Sequence, residues 1–210
     1  METINQRIND EVCYETINKL KDDALLPVYM KSDSVKTNIN ILEKILDKHA
    51  SIDTKKTVIK EYLPQLIPPG TKGVIRGNTF NNIIKDYITN IELDEEQYEV
   101  KFESKCDKFL TSEIPDWYIL HKTKNKILIG MNQLDLWSGG QQLNRGSKYL
   151  ENNKYNSDNS KLLCVVCNNI QFKSKSSKAY KLVKMGFEND TLCYLNNLQN
   201  IIYSYFELAE

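Results

Sequence analysis

The hydrophobic positions of this chain change period near its middle, and that change predicts the architecture. Ile39, Leu42, Ile45 and Leu46 recur at helical spacing between Glu43, Lys44, Asp47 and Lys48, one apolar stripe on a polar helix. A looser version runs from Ile4 to Leu26, with Ile8, Val12, Ile17 and Leu20, and is interrupted by Pro27. A helix over 53–63 is expected to stop at Pro64. Ile67-Pro68-Pro69-Gly70 then breaks the pattern, because two prolines lack N–H donors and glycine favours a turn. This places a helical region over 1–70 and a second region over 71–210.

The second region reads element by element. Gly77-Asn78-Thr79 offers an N-cap for a helix carrying Phe80, Ile83, Ile84, Tyr87 and Ile88. Tyr98-Glu99-Val100-Lys101-Phe102 alternates as a half-buried strand does. Strands over 117–120 and 126–131 flank the polar turn 121–125 and predict a hairpin. A polar helix over 141–150 and the continuous apolar run 162–167 complete a βαβ crossover, so the sheet is expected to be mixed, with a buried central strand. Helices over 177–184 and 191–206 close the chain. The predicted class is α/β, a mixed four- or five-stranded sheet flanked by helices, with an N-terminal helical region.

Composition narrows the classes. Hydrophobic residues are 40% and charged residues 27% of 210, a globular balance rather than a disordered one. No apolar run approaches the ~20 residues that a bilayer span needs. The first residues, Met-Glu-Thr-Ile-Asn-Gln-Arg, lack a signal core. Five cysteines, an odd number at irregular spacing, argue for a reducing compartment. The expected location is therefore cytoplasmic or otherwise intracellular, with no membrane partner. The zero formal net charge conceals an asymmetry: residues 1–100 sum to −4 and residues 121–190 to +7. A polyanion would meet the second stretch. Cys164-Val165-Val166-Cys167 is a lone CxxC inside an apolar strand and reads as core packing, since zinc needs two more ligands.

The sharpest local signal is Ser112-Glu113-Ile114-Pro115-Asp116-Trp117. Pro115 fixes its own φ and keeps Ile114 extended, so Asp116 stands at a rigid strand entrance, suited to a hard cation. The helix–β–β–β–helix–β order, with Ile114-Pro115-Asp116-Trp117 opening the second hairpin strand, resembles the PD-(D/E)xK nuclease superfamily, and type II restriction endonucleases in particular. The resemblance covers roughly residues 73–205, with the segment 77–86 similar to the opening helix of that core.

The resemblance implies a Mg²⁺-dependent endodeoxyribonuclease that hydrolyses double-stranded DNA at a short sequence. It also implies a symmetric homodimer, for which residues 1–63 would supply an interface. Asp116 is the implied metal ligand. The expected Glu-x-Lys or Asp-x-Lys triplet is replaced by Gly130-Met131-Asn132-Gln133-Leu134-Asp135. Gln133 and Asp135 stand in as ligands and Glu113 as an outer carboxylate, while Met131 is useless to a hard metal. Lys126 or Lys148 would supply the missing cation, and Lys148 is the choice for the catalytic set. Glu99 and Glu103 are further acidic candidates, and Asn81, Asn82 and Asp86 are what the opening helix offers.

On the polar segment 135–149, Gln142, Asn144 and Arg145 carry the groups that read base edges, and Lys148 and Tyr149 suit phosphate contacts. The lysines at 173, 175, 178, 181 and 184 would hold backbone non-specifically. The missing triplet leaves a second reading open, a catalytically inactive DNA-binding module on the same fold. A helical interaction protein without a nucleic-acid partner is the third.

Overall fold

The structure, a computed structural model, describes residues 31–47, 51–109, 113–136, 140–151, 156–167 and 174–208. The helical pattern read over Ile4–Leu26 lies outside the described residues. The chain divides into one compact unit ending at Thr79 and another that holds the residues from Phe80 onward.

The first unit contains α1 (Asp33–Leu46), α2 (Ile52–Leu66) and the opening turns of α3 (Pro69–Thr89). Val35, Ile39, Ile67 and Ile75 form its buried cluster, with Ile59 and Leu66 packed against it. The α1 stripe is thus centred earlier than the sequence suggested, and Ile45 is exposed. Asn38 Nδ2 donates to the Leu66 carbonyl at 2.9 Å, satisfying an end group of α2.

Two helix boundaries differ from expectation. α2 continues two residues past Pro64, where the missing proline N–H weakens only a terminal turn. α3 begins at Pro69 and not near Asn78. Proline is favoured at the first helical position, so Pro68-Pro69 ends one helix and starts the next. Gly77, Asn78 and Thr79 lie inside α3, where Thr79 Oγ1 bonds back to the Ile75 carbonyl at 2.9 Å instead of capping.

The second unit is built on a five-stranded mixed sheet in the order β1-β2-β3-β4-β5. Its strands are β1 (Tyr98–Phe102), β2 (Trp117–His121), β3 (Lys126–Gln133), β4 (Ser160–Val166) and β5 (Leu192–Tyr194). β1, β2 and β3 pair antiparallel, and β3, β4 and β5 pair parallel. The hairpin turn places Asn125 at φ 50°, a left-handed conformation that asparagine tolerates.

The crossover from β3 to β4 carries α4 (Gly140–Gly146), which widens into a π turn at Ser147–Glu151. α5 (Lys178–Glu188) is capped by Ser177, whose side chain accepts the Tyr180 N–H at 3.2 Å. α6 is Leu195–Phe206. Of the residues over 191–194, expected to open that helix, Leu192–Tyr194 instead form β5. Thr191 N–H is taken by the Gly186 carbonyl and its own carbonyl accepts Cys164 N–H, which draws the chain onto the sheet.

Strand alternation sends side chains to two cores. Ile127, Ile129 and Met131 join Leu162, Cys164 and Val166 on one face, with Tyr149, Leu150, Leu182 and Val183 from the helices. Trp117, Ile119 and Leu128 lie on the other face and are fully buried. Gly130 stands opposite Trp117 in the register, and a Cβ built there would overlap the indole. No described helix is long and apolar enough to cross a membrane.

Gly130→Ala should therefore force Trp117 or β3 to move, destabilising the fold by about 2–3 kcal/mol. A urea titration followed by tryptophan fluorescence measures this, and an unchanged midpoint would contradict the packing.

Candidate active site

Asp116 is held by its backbone before its side chain is considered. Its N–H donates to the Gly130 carbonyl at 3.1 Å, and its carbonyl accepts Glu103 N–H at 2.9 Å. Pro115 before it is buried. The residue is thus clamped between the end of β1 and β3, one step ahead of β2.

Its carboxylate belongs to a hydrogen-bonded ring that spans three elements. Oδ2 accepts the Asn132 backbone N–H at 2.6 Å, and Oδ1 accepts Asn81 Nδ2 at 3.1 Å. Asn132 Nδ2 donates to Asn81 Oδ1 at 3.1 Å, and Trp117 Nε1 donates to Asn132 Oδ1 at 3.0 Å. Beside this ring lies a cleft of about 60 Å³ rimmed by Asn82, Lys85, Phe102 and Glu103. Glu103 takes φ 47°, a conformation uncommon outside glycine and asparagine, and its charge acts on Asp116. Burial pushes the Asp116 carboxyl above its ordinary range. Hydrogen bonds from Asn132 and Asn81 pull it back, the Glu103 charge adds to the rise, and Arg145 opposes it.

A second cluster stands on the crossover. Lys148 Nζ lies 2.6 Å from Glu113 Oε1, and Tyr149 OH donates to Glu113 Oε2 at 2.9 Å. Arg145 donates to Gln133 Oε1 at 3.1 Å. Residues 145, 148 and 149 share a face because helical neighbours recur three and four apart. Burial raises the Glu113 carboxyl, but the bonds from Lys148 and Tyr149 and the charges of Lys148 and Arg145 outweigh it, leaving the group below its usual range. Burial and the Glu113 carboxylate push the Tyr149 phenol well upward.

The structure therefore brings Glu113 together with Lys148 and Tyr149, and Gln133 with Arg145, and the Arg145 charge acts on both Glu113 and Asp116. Asp135 does not share a strand face with Gln133, because β3 ends at Gln133 and Asp135 lies in the following bend. Asn144 is exposed on α4, and the Gln142 side chain lies outside the described residues. Lys126 is remote from this cluster, paired with Glu207 at 3.2 Å. Lys178 and Lys184 make surface pairs with Glu151 and Glu188, while Lys173 lies outside the described residues. Met131 is 6% exposed and packs in the core.

Asn132 is the residue that sequence reasoning passed over. The signal was present: a polar side chain closing an apolar strand must find partners when buried. Asn132 is 9% exposed and binds both Asn81 and Trp117. Cys164, Cys167 and Cys193 are buried thiols outside any disulfide. Burial raises the Cys164 and Cys193 thiols, which makes them inert core groups.

Among the described residues no three His, Cys, Asp or Glu side chains group as a metal cage. Magnesium demands less, since it keeps several waters and binds through one or two carboxylates plus substrate phosphate. Asp116 with Glu103 on the same cleft rim fits that sparse requirement. Gln133 and Glu113 instead spend their oxygens on Arg145, Lys148 and Tyr149.

No protein-family model matches the chain, and no curated protein matches it. Protein VC1899 from Vibrio cholerae is a structural neighbour at TM-score 0.41 and 10% identity, covering 96% of this chain and 56% of that one. The chain thus spans little more than half the length of that protein.

Two expectations follow. Asn132→Ala removes the partner of the buried Trp117 N–H and should cost about 1–3 kcal/mol, read as a lower urea midpoint. Carboxyl NMR should find Asp116 titrating above, and Glu113 below, their unfolded-chain values. The stability signs are then opposite. Asp116 holds a proton that the unfolded chain releases, so its contribution falls as pH rises from its unfolded toward its folded pKa. Glu113 stabilises above its unfolded pKa and loses that contribution as pH falls through its folded one. Coincident titration at unfolded values would contradict both environments.

Proposed function

We propose that the protein is a Mg²⁺-dependent endodeoxyribonuclease of restriction type, hydrolysing phosphodiester bonds of double-stranded DNA at a short sequence. One observation carries this reading. A geometrically fixed carboxylate, Asp116, is held by the Asn132 N–H, and the next residue, Gln133, holds Arg145 of the crossover that also carries Lys148 and Tyr149. That combination matches the chemical need of phosphoryl chemistry, an oxygen ligand for a hard cation next to cations for phosphate.

Asp116 would hold the metal, with Glu103 as the second carboxylate. Magnesium, when bound, supplies an activated water and neutralises charge growing on the phosphate. Asn81 and Asn132 fix the carboxylate's plane before substrate arrives, so no reorganisation is needed at the moment of reaction. Arg145 reaches the phosphate or a base edge once it leaves Gln133. Lys148 is a phosphate contact that the Glu113 carboxylate orients. The positive balance of residues 121–190 favours a polyanion on this side of the chain.

The inactive DNA-binding module has its own support. Both Asp116 oxygens already accept N–H donors, and Met131 occupies core where a lysine would have served chemistry.

Plasmid nicking in Mg²⁺ or Mn²⁺, run beside a gel-shift assay, separates the readings. The nuclease reading expects cleavage by the wild type and at least a ~100-fold loss in Asp116→Ala with retained binding. Salt-dependent binding without cleavage supports the inactive module. Cleavage that survives Asp116→Ala removes the site, and absence of any DNA binding removes both readings.

A further inference from the structure

Among the described residues β1 ends the sheet and pairs with β2 alone. The flanking bonds show which of its backbone groups face outward. Lys122 N–H donates to the Gln97 carbonyl at 2.9 Å at one end, and Glu103 N–H to the Asp116 carbonyl at 2.9 Å at the other. Antiparallel bonding alternates, so Gln97, Glu99, Lys101 and Glu103 address β2, while Tyr98, Val100 and Phe102 turn their N–H and C=O away from it. Two of those outward groups are satisfied within the chain. Tyr98 N–H donates to the Asp94 carbonyl at 2.8 Å, and the Phe102 carbonyl accepts Ser104 Oγ at 2.8 Å. The other outward groups are the Tyr98 carbonyl, both groups of Val100 and the Phe102 N–H. A groove of about 650 Å³ runs beside the strand, lined by Ile88, Leu93, Val100 and Phe102 among others.

The sequence on this edge is self-complementary. Tyr98-Glu99-Val100-Lys101-Phe102 reads aromatic, acid, aliphatic, base, aromatic about Val100. Two copies laid antiparallel through Val100 set Tyr98 against Phe102 and Glu99 against Lys101, pairings that stabilise adjacent strands. The backbone agrees with the side chains. In that register the two Val100 residues exchange both bonds, and each Phe102 N–H meets the other copy's Tyr98 carbonyl. The remaining groups of the register, Tyr98 N–H and Phe102 C=O, are the two already satisfied within each chain. Within one chain Glu99 and Lys101 pair at 3.3 Å, at 37% and 50% exposure. That pair keeps unrelated apolar edges away and can exchange into two intermolecular pairs.

We propose that a second copy of this chain docks on the free edge of β1, antiparallel through Val100, so that two sheets join across a two-fold axis. The charge and aromatic order of the strand selects a copy of itself over another partner. The proposal does not rest on the nuclease reading. A five-residue pairing is a small interface, so association is weak, with a dissociation constant of roughly micromolar order.

Analytical ultracentrifugation of the full chain over a concentration series tests this. The wild type should dimerise. Lys101→Glu sets carboxylates against each other, and Glu99→Lys sets ammoniums against each other. Each variant alone should associate at least tenfold more weakly, while an equimolar mixture of the two should regain the dimer. Both side chains are exposed, and circular dichroism checks that the fold survives. Hydrogen exchange gives a readout that needs no variant: the Val100 and Phe102 amides should exchange more slowly as wild-type concentration rises. A wild type that stays monomeric, a dimer that both variants keep, a mixture that remains monomeric, or amide exchange independent of concentration would each overturn the proposal.

Discussion

The second unit depends on the hydrogen bonds that hold one carboxylate at the entrance to β2. Asp116 is half-buried, and a carboxylate withdrawn from water is costly unless its oxygens are engaged. The fold engages them from a strand backbone and a helix side chain together, through Asn132 N–H and Asn81 Nδ2. Helix α3 is thereby tied by side chains to β2 and β3, whose own register is already set by their ladder. Trp117 reinforces the arrangement, filling the space left by Gly130 while donating to Asn132. The polar ring and the tight apolar contact lie side by side, and each requires the other's geometry.

The same arrangement makes the site frugal. A dense carboxylate cage would need more charge than this cleft contains, and the amides of Asn81 and Asn132 occupy positions that other chemistries would give to acids or bases. Amides orient without adding charge, so Asp116 stays the dominant anion and Glu103 its neighbour across the cleft. On the other side, Glu113 gathers Lys148 and Tyr149 while Gln133 holds Arg145. These cations are partnered in the free protein, and a phosphate would compete for them with a charge-assisted bond of at least equal strength.

Much of the sheet was legible because its signals are local and periodic. The hairpin, the alternating β1 and the apolar β4 followed from period and turn chemistry, and the βαβ crossover from element order. The failures came where local signals competed. Gly77-Asn78-Thr79 resembles a cap, but Pro69 had already opened the helix eight residues earlier. β5 is three residues long, too short for a period, and forms where Cys164 N–H donates to the Thr191 carbonyl and draws the chain onto the sheet. At the site, residue types within one segment were readable, as with Arg145, Lys148 and Tyr149. The Asp116–Asn81–Asn132 ring joins residues far apart in sequence, and no spacing rule specifies such a closure. The placement of Asp135 was not legible for a related reason, since it depends on where β3 ends.

The central claim is that Asp116 anchors a hard divalent cation beside a phosphate. The most direct measurement is electron paramagnetic resonance of Mn²⁺ added to the wild type and to Asp116→Asn, each with a short duplex DNA. The account predicts a bound-Mn²⁺ population in the wild type that Mg²⁺ displaces and that Asp116→Asn loses. Equal Mn²⁺ binding by both proteins, or none by the wild type with DNA bound, would contradict it.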